Sequence, residues 1–217
     1  MRNTTPADLA VELARLLELV PHDRRLLVGI SGIPGAGKST LAHAVAAELA
    51  KCGIKAAVVG MDGWHYSRAQ LDTFADPAHA HARRGAAFTF DADAFVAFVT
   101  ALRKPGWHRL TAPSFSHADK DPIADAIEIT DERIILVEGL YCNLSVPPWN
   151  QAAELWDVRW LVSTTKETAR ERLISRHVAS GITNNAHEAA ERADGNDLPN
   201  GDWILANTYE PIERIAL

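Results

Sequence analysis

The run "GIPGAGKS" at residues 32–39 constrains this chain more than any other stretch. It fits the pattern G-x-x-x-x-G-K-[ST], and its surroundings fit as well. The apolar segment "RLLVGIS" (25–31) before it reads as a buried strand, and "KSTLAHAVAAELAKCG" (38–53) after it reads as a helix closed by Gly53. "KAAVVGM" (55–61) then reads as a second buried strand. A strand–loop–helix–strand order predicts a βαβ unit within a parallel sheet. In such a loop, Gly32, Gly35 and Gly37 let the backbone fold tightly, so that its N–H groups converge on an anion. The helix that follows adds its positive N-terminal end. Lys38 offers a flexible point charge to the β- and γ-phosphates, and Ser39 a hydroxyl to Mg²⁺. The expected nucleotide-binding set is Gly32, Gly35, Ala36, Gly37, Lys38, Ser39 and Thr40.

The rest of the chain supplies a scaffold. At 217 residues it is long enough for one domain with a sizeable core. Residues 6–20 pattern as an amphipathic helix, with Leu9, Leu13, Leu16, Leu17 and Val20 on one stripe. Residues 62–90 lack clear periodicity and read as an excursion from the scaffold. Asp91 is a candidate N-cap for a helix carrying Phe95, Val96, Val99 and Leu102, which "KPG" ends. A weak strand is expected over 108–112, then a long loop, "PSFSHADKDP". Further strands are expected at "AIEIT", "RIILVEG", "DVRWLVS" and "DWILANT", and helices at "PPWNQAAE" and 166–180.

Charge and composition exclude several classes. With 22 Lys and Arg against 28 Asp and Glu, the net charge of −6 argues against a nucleic-acid-binding face. No apolar run approaches the roughly 20 residues that span a bilayer. Cys52 and Cys142 form neither a disulfide nor a metal framework, and no secretory pattern precedes them, so a cytoplasmic protein is expected. His79 and His81 lack partners at zinc-finger spacing.

Three classes use such a loop: switch GTPases, motor-type or regulatory ATPases, and small-molecule kinases. The nearest candidate for an N/T-K-x-D base-reading motif, "TKET" (165–168), ends on Thr168 instead of an acid. A kinase needs a metal acid, a group at the acceptor hydroxyl, and cations for the transferred phosphoryl. Glu138, ending "RIILVE", is the candidate metal acid. Asp62 ends the strand after the phosphate-loop helix, and ligands collect beyond the carboxyl ends of parallel strands. Asp62 is therefore the candidate base, and Gly63 would let an acceptor approach. Arg172 and Arg176 lie at i,i+4 on one helix with no acid three or four residues away, a repulsion of about 0.2–0.5 kcal/mol that an arriving anion would reverse. Arg170 has Glu167 three residues before it, which predicts a surface ion pair. Arg83 and Arg84 beside Gly85 would clamp a phosphate or lie in a solvated loop. His65 reads as a substrate-pocket donor or as a structural histidine. Trp64, Trp156 and Trp160 read as core or pocket wall.

Seven stretches, "GIPGAGKST", "MDGWHY", "RRGAAFTFDADAF", "PSFSHADKDP", "ILVEGLY", "RLISRHVASGI" and "ERADGNDLPNGDWI", occur in an order that resembles the phosphoribulokinase/uridine kinase/pantothenate kinase family of P-loop kinases. The likeness runs from about residue 25 to 210 and is greatest to the bacterial fructose-transport-system kinase, or nucleoside kinase-like, branch. It implies an α/β, three-layer P-loop NTPase fold, with a mostly parallel five-stranded central sheet flanked by helices and a helical lid, often as a homodimer. It also implies a single domain over 1–217, with an N-terminal helix at 1–20, a substrate-side excursion at 62–90 and a lid region at 166–195. ATP and Mg²⁺ are then the implied cofactors, bound through Lys38 and Ser39. Asp62 is implied as the base, Glu138 as the metal-side acid, and Arg172 and Arg176 as lid residues. His65, Tyr66, Arg83, Arg84 and Tyr141 are expected around a small hydroxyl-bearing acceptor such as a sugar, a nucleoside or a pantothenate-like alcohol. Related sequences tend to carry Arg-Lys-Gly-Ala-Pro where this chain has Arg83-Arg84-Gly85-Ala86-Ala87, and Glu-Gly-Asn-Tyr where it has Glu138-Gly139-Leu140-Tyr141.

Overall fold

The computed structural model describes residues 2–106, 108–116 and 119–216. Strand β1 is Arg2–Asn3, followed by helix α1 (Pro6–Leu19). The βαβ unit follows as β2 (Leu26–Ser31), α2 (Lys38–Lys51) and β3 (Ala56–Gly60). The excursion then holds a 3₁₀ turn at Met61–Trp64, two short helices, α3 (Arg68–Leu71) and α4 (Pro77–Ala82), and a second 3₁₀ turn at Ala87–Thr89. After α5 (Ala92–Leu102) come β4 (Leu110–Ser116), β5 (Asp121–Ile129), β6 (Ile134–Glu138), α6 (Asn150–Ala153) and β7 (Val158–Ser163). The chain ends with α7 (Lys166–Ala179), α8 (Ala186–Arg192), a π-helical turn (Ala193–Asp197), α9 (Leu198–Ala206) and β8 (Glu213–Ala216). Among the described residues, no helix is long and apolar enough to cross a membrane.

Six strands form one parallel sheet in the order β1-β8-β7-β2-β6-β3. This corrects the expected five; the short β1 adds to the edge beside β8. Side chains alternate across the central strands, as a two-sided buried sheet requires. Leu26, Val28, Ile30, Ile134 and Leu136 face α1 and α2. Leu27, Ile135 and Val137 face α5 and α6, where Phe95, Trp149 and Trp156 pack. Helix α1 starts at a capping box between Thr5 and Asp8, with Pro6 in its first turn.

Two expectations fail. "DWILANT" lies largely in α9, not in a strand. Trp203, Ile204 and Leu205 are consecutive apolar residues that imitate a buried strand, but Ile204 alone is buried. The stretch "PSFSHADKDP" is only partly a loop: Leu110–Ser116 and Asp121–Ile129 pair as an antiparallel hairpin outside the main sheet. Most of β5 is exposed or half-exposed, which removed the apolar signal. Residues 117–118 of that stretch lie outside the described residues.

Gly29 lies under the Trp156 indole; an added Cβ would sit 2.4 Å from the ring. Gly29→Ala should therefore destabilise the fold by about 1–3 kcal/mol, the usual penalty for overpacking. Urea denaturation should show this as a lower midpoint at unchanged slope.

Candidate active site

The phosphate loop leaves β2 at its carboxyl end. Gly37 has φ +97°, in the left-handed region where glycine is favoured. A Cβ on Gly35 would stand 2.6 Å from the carbonyl oxygen of Ala169, so the loop is pressed against the start of α7. Lys38 Nζ donates to the carbonyl oxygens of Gly32 (3.1 Å) and Ile33 (3.2 Å). Burial pushes the Lys38 pKa down and Arg176 works in the same direction, while Glu138 and Asp62 oppose them. Ser39 Oγ donates to Glu138 Oε1 at 2.9 Å. Burial raises the Glu138 pKa, Asp62 adds to that rise, and Lys38 and the Ser39 hydrogen bond oppose it.

Sheet register explains why the two acids meet. Gly60, the last residue of β3, pairs with Glu138, the last of β6. The chain then turns at Met61–Trp64, with Met61 and Trp64 buried as anchors. Asp62 is thereby carried over the carboxyl edge of the sheet. Among the described residues its carboxylate takes no hydrogen bond. A cavity of about 670 Å³ opens there, with Lys38, Ser39, Asp62, His65, Glu138 and Arg176 on its walls.

Other expected residues fall elsewhere. Arg172 rests on the loop carbonyls of Gly35 (3.3 Å) and Ala36 (3.5 Å), outside the cavity lining. Arg84 lines the cavity, yet it also holds Asp121 of β5 (3.0 Å) and the carbonyl of Tyr66 (3.0 Å). It pins the hairpin to the excursion. Arg83 points to Asn200 (3.0 Å), and Tyr66 packs on Phe74; neither reaches the cavity. Tyr141 is fully buried and donates to the carbonyl of Gly85 at 2.6 Å, so it is a core residue. Gly139 and Leu140 beside it line the cavity instead. Gly63 is packed under the hairpin, where an added Cβ would lie 2.3 Å from the Pro113 oxygen. It serves that close packing and not an acceptor's approach. The expected Glu167 partner of Arg170 is replaced by Asp194, held through two bonds of 2.6 and 2.8 Å.

Several lining residues escaped the sequence, among them the ionisable His81, Lys120, His177, Arg192 and Asp197. His177 Nε2–H donates to Asp197 at 2.9 Å, and its side chain is only 3% exposed. Its one sequence signal is position: His177 follows Arg170 by seven residues and so shares its helix face. Among the described residues, no group of three or more His, Cys, Asp or Glu side chains is placed to hold a metal ion. Ser39 and Glu138 nonetheless fit Mg²⁺, which keeps several waters and takes its remaining oxygens from phosphates.

This geometry defines an α/β P-loop protein with an acid, Asp62, in the same cavity as the loop's Lys38 and Ser39. A family model described as methylmalonyl Co-A mutase-associated GTPase MeaB matches residues 3–67. That span holds α1, the phosphate loop and β3 but stops before Glu138 and α7. A Schizosaccharomyces pombe protein named "Putative uridine kinase" is 39% identical over 206 residues, covering 91% of this chain and 85% of that protein. An Aspergillus versicolor ATP-dependent kinase-like protein is 46% identical over 164 residues, covering 72% and 92%. The crystal structure named for a "putative fructose transport system kinase" of Silicibacter sp. TM1040 superposes with a TM-score of 0.85 at 34% identity, covering 98% of both chains. The chain belongs to the phosphoribulokinase/uridine kinase-like family of P-loop kinases and is an ATP-dependent kinase of that family.

Lys38→Ala should weaken ATP binding and turnover together, by about 30-fold or more, the scale of losing a desolvated charge contact. Calorimetric titration of ATP alongside ADP-release kinetics checks this.

Proposed function

We propose that this protein transfers the γ-phosphoryl group of ATP to a hydroxyl of a small polar metabolite, with Asp62 as the group that receives or orients the hydroxyl proton. One observation carries the reading: the Asp62 carboxylate lacks a hydrogen-bond donor among the described residues and shares a cavity with Lys38, Ser39 and Glu138. The cavity volume of about 670 Å³ suits a nucleotide's phosphates together with a small guest. The names of those relatives suggest candidate acceptors, a nucleoside and a sugar.

The residues divide the work. The loop's N–H groups and Lys38 cradle the β- and γ-phosphates. Mg²⁺, held beside Ser39 and Glu138, would neutralise phosphate charge. Arg176 reaches the same space from α7, and Arg172 lies one turn earlier against the loop. Together they form the closing lid. Phosphoryl transfer passes through a loose transition state, so positioning and charge supply most of the barrier reduction. The acceptor's O–H bond breaks as its oxygen bonds to phosphorus, and the proton passes to Asp62 while ADP departs. A positioned base of this kind contributes about 10²–10⁴-fold, or roughly 3–5 kcal/mol.

Asp62→Asn should leave ATP affinity nearly intact and lower acceptor-dependent turnover by about 10²-fold or more. An ADP-release screen over sugars, nucleosides and vitamin-precursor alcohols, with and without each acceptor, provides the measurement. Unchanged turnover in the variant excludes Asp62 from this role. ATP consumption indifferent to every acceptor indicates a nucleotide-binding regulatory ATPase instead.

A further inference from the structure

The cavity holds more positive charge than the phosphoryl donor uses. Lys38, Arg172, Arg176 and the Mg²⁺ expected beside Ser39 already match a triphosphate. Arg84 is neutralised by Asp121. Lys120 reaches across to the carbonyl of Gly181 at 3.3 Å. Arg192 remains. It lines the cavity, yet no hydrogen bond or ion pair to a described residue engages its guanidinium, and its Nε–H is sealed from solvent without an acceptor. A guanidinium on a cavity wall with no such partner is a ready site for an anion.

Local backbone puts it there. Arg192 ends α8, and the π-helical turn Ala193–Asp197 follows directly. A π turn aligns residues five apart, so Arg192 and Asp197 come to the same wall. Asp197 accepts from His177, and no ion pair joins it to Arg192 among the described residues. Arg192 is carried by α8, whereas Lys38 begins α2 behind the phosphate loop and Arg176 lies on α7.

We propose that Arg192 binds an anionic group of the acceptor, a carboxylate or a phosphate, so that the substrate is a charged hydroxy-metabolite and not a neutral sugar or nucleoside. This rests on the kinase reading above, because it places the anion on the molecule whose hydroxyl faces Asp62. The guanidinium's terminal N–H groups form a fork of donors, the geometry that carboxylates and phosphates accept.

The test uses the full chain and matched pairs: glycerol and glycerate, pantothenol and pantothenate, ribose and ribose 5-phosphate. The first two pairs report on a carboxylate, the third on a phosphate. The charged member of a pair should be phosphorylated in preference to its neutral counterpart. Arg192→Gln should lower kcat/KM for it by about 100-fold while the KM for ATP stays unchanged, and Arg192→Lys should recover part of the loss. A second measurement does not need the right acceptor. With a non-hydrolysable ATP analogue and Mg²⁺ bound, the γ-phosphate site is filled. Inorganic phosphate should then raise the Tm of the native protein but not that of Arg192→Gln. Equal use of neutral and charged members, a raised KM for ATP in Arg192→Gln, or no phosphate-dependent rise in Tm overturns the proposal. A phosphate-dependent rise lost in Arg192→Gln, with no compound phosphorylated, keeps the anion subsite and counts against the kinase reading instead.

Discussion

A buried ammonium group whose hydrogen bonds among the described residues go to two carbonyl oxygens organises this molecule's chemistry. Lys38 donates to Gly32 and Ile33, and burial lowers its pKa because those neutral oxygens replace water incompletely. Glu138, the nearest acid in electrostatic terms, is itself pushed toward its neutral form by burial. The two charges favour each other, yet among the described residues no hydrogen bond joins them, and Glu138 accepts from Ser39. The parallel sheet makes this arrangement possible. It brings the ends of β2, β3 and β6 level, so the loop, Asp62 and Glu138 emerge at one rim.

The scaffold around that rim was legible wherever burial is continuous. The strands ending at Ser31, Gly60 and Glu138 are short apolar runs, and the loop between the first strand and its helix has a fixed spacing. Asp62 could be placed from chain order alone, because any acid ending the second strand of a βαβ unit falls at the carboxyl edge. Legibility stopped where neighbours come from distant sequence. Tyr141 looks like a pocket residue beside Glu138, but the phenol is drawn into the core by Phe90, Trp149 and the Gly85 carbonyl. Arg170 found its acid 24 residues away and not three. The hairpin of β4 and β5 was hidden because its second strand is half in water and gives no apolar rhythm. Arg192 stands at a helix end followed by a π turn, which no periodicity announces.

The excursion and the hairpin show how a solvent-exposed element can still shape a site. Arg84 reads from sequence as a phosphate clamp or as a solvated loop cation. In the fold it bridges Tyr66, Lys120 and Asp121, with Phe115 near its guanidinium plane. Its charge is largely consumed in holding the wall together. Gly63, packed tightly against Pro113, supports the same wall from below.

Helix α7 has two faces with separate duties. Arg172 and Arg176 project toward the phosphate loop and the cavity, while Arg170 and His177 are bonded to Asp194 and Asp197 in the turn that carries Arg192. Those two contacts tie the helix to the segment after it, the buried His177 bond more firmly than the exposed Arg170 pair. A displacement of α7 on its own would break both contacts, so the helix and the turn after Arg192 are mechanically coupled.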